Sequence, residues 1–157
     1  MTRPQATLPA EHERVVALIQ LMKQEQQLLV AADADALAEL TPGKVVLVQE
    51  LVQLSRQRHA TLGGMGFEAG EAGMEAWVAS HADAATRTQW SGLLTATAEA
   101  KELNRVNGLL INRQLAHNQT VLQALRTPAG AAESPLYGAK GLSFGAGTGA
   151  GRRFVSV

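Results

Sequence analysis

Apolar residues in the first part of the chain are arranged symmetrically about a point between Ala34 and Asp35. Counted outward from that point, five apolar residues on one side are matched by apolar residues on the other: Ala32 with Leu37, Leu29 with Leu40, Met22 with Leu47, Leu18 with Leu51 and Val15 with Leu54. On each side the matched positions are mostly three or four residues apart, or seven where the charged pair Glu25 and Lys44 intervenes, a spacing that keeps side chains on one face of an α-helix. The pattern predicts two antiparallel helices joined by a tight turn.

One pair in the same series is charged, because Glu25 on the first helix is matched by Lys44 on the second. A buried pair would fix the register of the two helices, and loss of one partner would cost about 3 to 5 kcal/mol. At the rim of the seam its contribution would fall to about 0 to 1 kcal/mol. In either position we expect a structural role for Glu25 and Lys44, not a catalytic one.

Capping residues predict where these helices begin and end. The first helix is expected from near Pro9, which suits a first turn, to about Ala32. Asp33 or Asp35 can cap the second helix. Thr41, Pro42 and Gly43 interrupt that helix, but its apolar stripe keeps its register across them. We therefore expect a kink or a short break there, followed by continuation.

The rest of the helical region contains a short helix and a long one. Gly63 and Gly64 end the second helix, and a glycine-rich connection is expected as far as Gly73. Three residues within it or just after it have helical spacing: Met74, Trp77 and Val78. A long helix is then predicted with Asp83 as its cap and its end at Arg126, before Pro128. Because it is longer than either arm of the hairpin, part of it should extend beyond them, bend or pack elsewhere.

This long helix has an apolar band bordered by residues that are unfavourable in helices. The band consists of Leu103, Val106, Leu110, Ile111, Leu115, Leu122 and Leu125. Asn104, Asn107 and Asn118 run along its shoulder, and Gly108 lies in mid-helix at a cost of up to about 1 kcal/mol relative to alanine. Two explanations remain open: a close helix crossing at Gly108 with the amides bonding across the bundle, or a surface that docks a partner. Trp77 and Trp90 are expected in the core.

Composition supports an all-α protein and restricts the classes of function. Lys plus Arg and Asp plus Glu number 14 each, so the chain has no net charge to attract nucleic acid. There is no cysteine, no signal-peptide pattern and no apolar run of membrane-spanning length, so we expect a cytoplasmic protein without membrane insertion.

Residues 1–127 are expected to form a helical bundle domain. Residues 128–157, which are rich in glycine, are expected to form a flexible tail.

The polar residues of the sequence indicate neither an enzyme nor a metal-binding protein. The four histidines, His12, His59, His81 and His117, fall on different segments, and none has a glutamate three residues before it. The glycine-rich run at 145–151 lacks the strand, the helix and the Gly-Lys-Ser/Thr ending of a nucleotide loop. We therefore expect no catalytic residues, no metal and no cofactor.

The tail carries one compact signal, an apolar and aromatic pair flanked by proline and glycine. Its core is Leu136, Tyr137 and Gly138. Such a segment is typical of a short linear docking motif anchored by Tyr137, and equally of a turn that folds Tyr137 back onto the bundle.

Several of these features occur together, in order, in a known family. They are Glu25 with Leu28 and Leu29; Leu40 and Thr41 with Lys44 and Leu47; Asn104, Asn107 and Gly108 with Leu109 and Leu110; Leu136, Tyr137 and Gly138 with Gly141; and the ending at 152–157. The set resembles the FlgN family, flagellar type III export chaperones for the two hook-filament junction proteins. The resemblance covers nearly the whole chain.

The resemblance implies a small cytoplasmic helical chaperone. It would bind the C-terminal regions of junction proteins like FlgK and FlgL, prevent their premature assembly and deliver them to the export gate. By the same resemblance, Leu136, Tyr137 and Gly138 would contact the gate. The client would be taken by the C-terminal half of the long helix together with the tail. The helix residues are Ile111, Leu115, Asn118, Leu122 and Leu125.

An alternative from another class stays open. The same surplus of apolar surface on the long helix would also suit a non-enzymatic structural or adaptor protein that buries it against a second copy of itself. A homodimer is therefore a further expectation beside the chaperone role.

Overall fold

The computed structural model describes residues 2–127, and the regular structure in that range is helical. A 3₁₀-helix, Pro4–Thr7, precedes four α-helices, which are α1 (Leu8–Ala31), α2 (Ala34–Gly64), α3 (Glu71–His81) and α4 (Ala84–Arg126). The predicted all-α class is confirmed. The chain divides into two compact units, Met1–Gln114 and Leu115–Val157, and α4 contributes to both. The expected domain boundary after residue 127 coincides with the end of the described residues and stays a prediction.

Only Ala32 and Asp33 connect α1 to α2. Ala32 has left-handed backbone angles (φ 56°, ψ 35°), and its N–H donates to the Leu29 carbonyl at 3.2 Å. The Asp33 N–H donates to the Leu28 carbonyl at 3.0 Å, which completes a Schellman motif. The Asp33 carboxylate then accepts from the Ala36 N–H at 3.0 Å. The chain thus ends one helix and caps the next within two residues, and Asp33 is the cap, not Asp35.

Contacts between α1 and α2 run in opposite order along the two helices. Glu25 contacts Lys44 near the turn, Arg14 contacts Glu50 further away, and Glu11 contacts Arg58 further still. The two helices therefore lie antiparallel.

Helix α2 continues through Thr41, Pro42 and Gly43, which excludes the short break expected there. Proline has no N–H to donate to the Ala38 carbonyl, so one helical hydrogen bond is lost at this point. The Thr41 hydroxyl donates to the Leu37 carbonyl at 2.9 Å. Because packing of the stripe on either side stabilises α2, the helix persists despite the proline.

The connection between α2 and α3 is shorter than predicted. It spans residues 65–70, and helix α3 begins at Glu71, so Gly73 lies inside a helix instead of in a loop. Gly66 has a φ of +86°, which glycine adopts without strain. A Cβ at Gly73 would lie 1.8 Å from the Glu68 carbonyl oxygen, so a side chain there would collide with the loop. The glycines therefore shape a compact turn.

Helix α4 begins where its cap was predicted. The Asp83 carboxylate accepts from the Thr86 N–H at 2.8 Å, and the helix starts at Ala84. The core within residues 1–114 draws on all four helices, and Trp77 and Trp90 belong to it as expected. Its largest members are Leu8, Val15, Leu18, Ile19, Met22, Leu62, Met74, Trp77, Val78, Trp90 and Leu93.

Candidate functional site

A polar layer crosses the packed helices at Glu25. The Lys44 ammonium lies 3.0 Å from both carboxylate oxygens of Glu25, and the Asn107 amide donates to one of them at 2.7 Å. Glu25 is 8% exposed, so these donors replace the water that its charge loses. The pairing of Glu25 with Lys44 that the symmetric pattern predicted is present, and it is joined by α4.

The asparagines of α4 contribute unequally to this layer. Asn107 is 1% exposed and also donates to the Met22 carbonyl at 2.9 Å, so its amide bonds across the bundle as one explanation expected. Asn104 is exposed, and its oxygen accepts from Lys44 at 3.5 Å. These bonds offset the low helix propensity of Asn107.

Within the described residues, α4 makes no close helix crossing at Gly108, which was one of the two explanations left open. A Cβ added at this position would meet nothing within 4 Å apart from the local helix backbone. The sequence left both explanations open because a glycine in mid-helix reveals a propensity cost but not what compensates for it. Steric contact within the described residues therefore does not account for Gly108.

A second charged layer, absent from the sequence predictions, lies two heptads further from the turn. Arg58 donates from Nε and Nη2 to the two carboxylate oxygens of Glu11, at 3.0 and 3.1 Å. Both side chains are buried. Positions 11 and 58 are the next matched pair outward in the symmetric pattern, so extending it by one helical turn would have found them.

Arg58 joins helices as well as balancing a charge. Its Nη2 also donates to Glu71 on α3 at 3.0 Å, and its guanidinium carbon lies 5.0 Å from the centre of the Trp90 ring on α4. Burial disfavours the charged guanidinium, but the hydrogen bonds and attraction of Glu11 and Glu71 outweigh it and raise the pKa of Arg58. Both layers link helices through hydrogen bonds and ion pairs, although Arg58 Nη1 and Asn107 Oδ1 are buried without a hydrogen-bond partner among the described residues.

The C-terminal half of α4 carries apolar side chains that are exposed to solvent. Within the second unit, Leu115, Leu122 and Leu125 are 55%, 52% and 77% exposed, and Asn118 is exposed beside them. Ile111, near the end of the first unit, is 39% exposed. These five residues are the ones proposed from the sequence to take a client, and they are accessible.

The predicted gate-binding residues Leu136, Tyr137 and Gly138 lie outside the described residues. Within residues 2–127, no group of three or more His, Cys, Asp or Glu side chains is placed to hold a metal ion. In the same range, no helix is both long enough and apolar enough to cross a membrane.

Exposed apolar surface of this kind is typical of sites that contact other chains. The profile of one protein family, described as "FlgN protein", matches residues 1–143. The chain belongs to the FlgN family. This family consists of flagellar export chaperones, which bind flagellar export substrates. Searches of curated proteins and of solved structures gave no significant match.

Proposed function

We propose that this chaperone binds the C-terminal regions of the two hook-filament junction proteins through the C-terminal half of α4. By covering these regions it prevents premature assembly, and it then delivers the proteins to the flagellar type III export gate in the cytoplasm. The observation that carries the proposal is the exposure of Leu115, Leu122 and Leu125 in a protein of this family.

The spacing of the proposed client residues suits a helical partner. Ile111, Leu115, Asn118, Leu122 and Leu125 are separated by four, three, four and three residues. This is the heptad spacing with which one helix packs its seam against another. Full burial of each leucine would contribute about 1.5 to 3 kcal/mol, so a few such contacts give a grip that is firm but reversible.

In this proposal the remaining helices are the scaffold. The hairpin of α1 and α2 with α4 forms a three-helix bundle, whose register is set by Glu25 and Lys44. Asn107 supports that register through its bonds to α1. Asn104 and Gly108 border the client surface, and the open space at Gly108 lets a partner backbone approach α4 closely.

The gate contact is assigned to the tail. Leu136, Tyr137 and Gly138 form a short apolar and aromatic motif that suits recognition of an extended segment by an export component. Replacement of Tyr137 by alanine should reduce secretion of both junction proteins while their binding to the chaperone is retained. Unchanged secretion would remove Tyr137 from gate recognition.

Titration calorimetry with C-terminal fragments of the junction proteins from the same genome tests client binding. The double variant Leu115→Gln/Leu122→Gln should bind at least about tenfold more weakly, since two anchors lose their apolar contact. Val30→Gln is the matched control, because Val30 is an exposed apolar residue on α1 and should not contribute. A dimer that the double variant dissociates, with no binding of either fragment, would favour the structural homo-oligomer instead.

A further inference from the structure

A second apolar surface lies in the first unit, in a groove between α2 and α4. Its volume is about 590 Å³. Val48, Leu51 and Val52 line it from α2, and Trp90, Leu93 and Leu94 line it from α4. Val48 and Val52 are each 42% exposed and Leu94 is 39% exposed, so apolar side chains on both walls are open to solvent. Concave apolar surface of this kind is typical of docking sites.

The groove on the other side of α4 differs in its chemistry. It lies between α1 and α4, has a volume of about 760 Å³, and includes His12, Gln20 and Arg87 in its lining. An ion pair between Lys23 and Glu99, 2.9 Å long, links its two walls. The groove between α2 and α4 is therefore the more suitable of the two for an apolar ligand.

The charges available in the α2–α4 groove are positive. Arg56 on α2 and Lys101 on α4 line its opposite walls, and within residues 2–127 neither has an ion-pair partner. The carboxylates of the lining, Glu11 and Glu71, are both bonded to Arg58. A ligand would thus meet two free cations on either side of an apolar floor.

We propose that this groove binds an acidic amphipathic helix of the export substrate. The helix presents an apolar stripe to Val48, Val52 and Leu94, and acidic side chains at its flanks face Arg56 and Lys101. This inference rests on the proposed function and adds to it a second docking surface and a charge requirement for the client. Because the ion pairs lie at the rim of the groove, they contribute to partner selection and to association rate, and salt weakens them.

The apolar part of the proposal is tested with the full-length chaperone and the C-terminal fragments of the junction proteins. Val52→Gln/Leu94→Gln should raise the Kd by about tenfold or more. Val46→Gln is the matched control, because Val46 is an exposed valine of the same helix that does not line the groove. All three positions are exposed, and circular dichroism checks that each variant keeps its helical content.

The charged part is tested by reversal. Arg56→Glu and Lys101→Glu should each raise the Kd by about three- to tenfold at low salt and flatten its dependence on salt. Arg87→Glu makes the same charge change in the groove between α1 and α4, and it should alter the Kd by less than about twofold. Reversing the acidic residues of the fragment to lysine should restore binding to the Arg56→Glu variant.

Each outcome distinguishes this inference from the proposed function. If neither fragment binds the wild-type chaperone, the proposed function fails and this inference with it. If the fragments bind and their affinity falls only for the Leu115→Gln/Leu122→Gln variant and not for the groove variants, the α2–α4 groove is not a client site. In that case this inference alone fails. Groove variants that dissociate a dimer in sedimentation without changing client affinity would likewise overturn it in favour of a second copy.

Discussion

Gly73 and Gly108 are both glycines within helices, but their surroundings require glycine only at Gly73. A Cβ at Gly73 would collide with the backbone of Glu68, whereas one at Gly108 would meet open space. Gly73→Ala should therefore lower the free energy of unfolding by about 1 to 3 kcal/mol. Gly108→Ala should raise it by up to about 1 kcal/mol through helix propensity.

Urea denaturation of the two alanine variants measures both effects, and each variant serves as the control for the other. A destabilised Gly108→Ala variant would show that α4 makes a close contact at this position. If Gly108→Ala is more stable but binds client less well, the glycine serves the partner and not the fold.

Sequence reasoning at the scale of residues succeeded where two positions constrained each other. Glu25 and Lys44 could be paired because their charges are opposite and their places in the symmetric pattern match. The role of Gly108 could not be predicted, since a single glycine shows a loss of helix propensity but not the interaction that offsets it. The same argument would have paired Glu11 with Arg58, which lie one helical turn beyond the last matched apolar pair.

The second charged layer connects helices, so its loss should lower the free energy of unfolding. Arg58→Met leaves the buried carboxylate of Glu11 without its bidentate partner and should cost about 3 to 5 kcal/mol. The double variant Glu11→Leu/Arg58→Met removes both charges and should recover most of that loss. Chemical denaturation of the wild type, both single variants and the double variant gives the coupling energy. Additive losses would show that the pair does not act as a unit.

The N-terminus of α4 should respond to acid through its cap. The Asp83 carboxylate accepts hydrogen bonds from Thr86, which lowers its pKa below the ordinary value of 3.8. A lowered folded-state pKa stabilises the protein above the unfolded pKa, and this stabilisation disappears as the pH falls through the folded pKa. Asp83→Asn keeps a capping oxygen that does not titrate, so its melting temperature should fall less between pH 5 and about 3 than that of the wild type. Parallel melting curves at every pH would contradict this account.

Helix ends were predictable where a side chain caps the backbone, as Asp33 and Asp83 do. Glycine and proline correctly marked the ends of α2 at Gly64 and of α4 at Arg126, but they misled at Pro42 and Gly73. Helix α2 passes through Pro42, and α3 includes Gly73, because packing outweighs local propensity at both places. Composition alone cannot show which helix-breaking residues, such as proline and glycine, a helix tolerates.

At the scale of the whole molecule, the helices and the tail are expected to have separable tasks. Deletion of residues 128–157 should leave the free energy of unfolding within about 0.5 kcal/mol of the full-length value, because the core described above lies within residues 1–114. The truncated protein should bind the client or the export gate more weakly. Denaturation and binding assays on both lengths test this expectation. Unchanged binding of both partners would exclude the tail from the mechanism.

The all-α class and most helix bounds followed from the sequence, because they depend on local spacing and caps. Spacing and caps did not indicate the function, but the ordered motifs resembled the FlgN family, and the family match over residues 1–143 confirms that resemblance. An apolar surface on α4 fits a client or a second copy equally well, and the family match decides between an export chaperone and other helical proteins. The α2–α4 groove also escaped prediction, since it depends on how far apart two helices lie across the bundle.

The central claim is that the C-terminal half of α4 takes the client, and hydrogen–deuterium exchange measures this most directly. Addition of a C-terminal junction-protein fragment to the full-length chaperone should slow amide exchange across residues 111–126 by at least about tenfold. The Leu115→Gln/Leu122→Gln variant should show no such slowing at the same fragment concentration. Unchanged exchange across residues 111–126 in a wild-type complex that demonstrably forms would contradict the account.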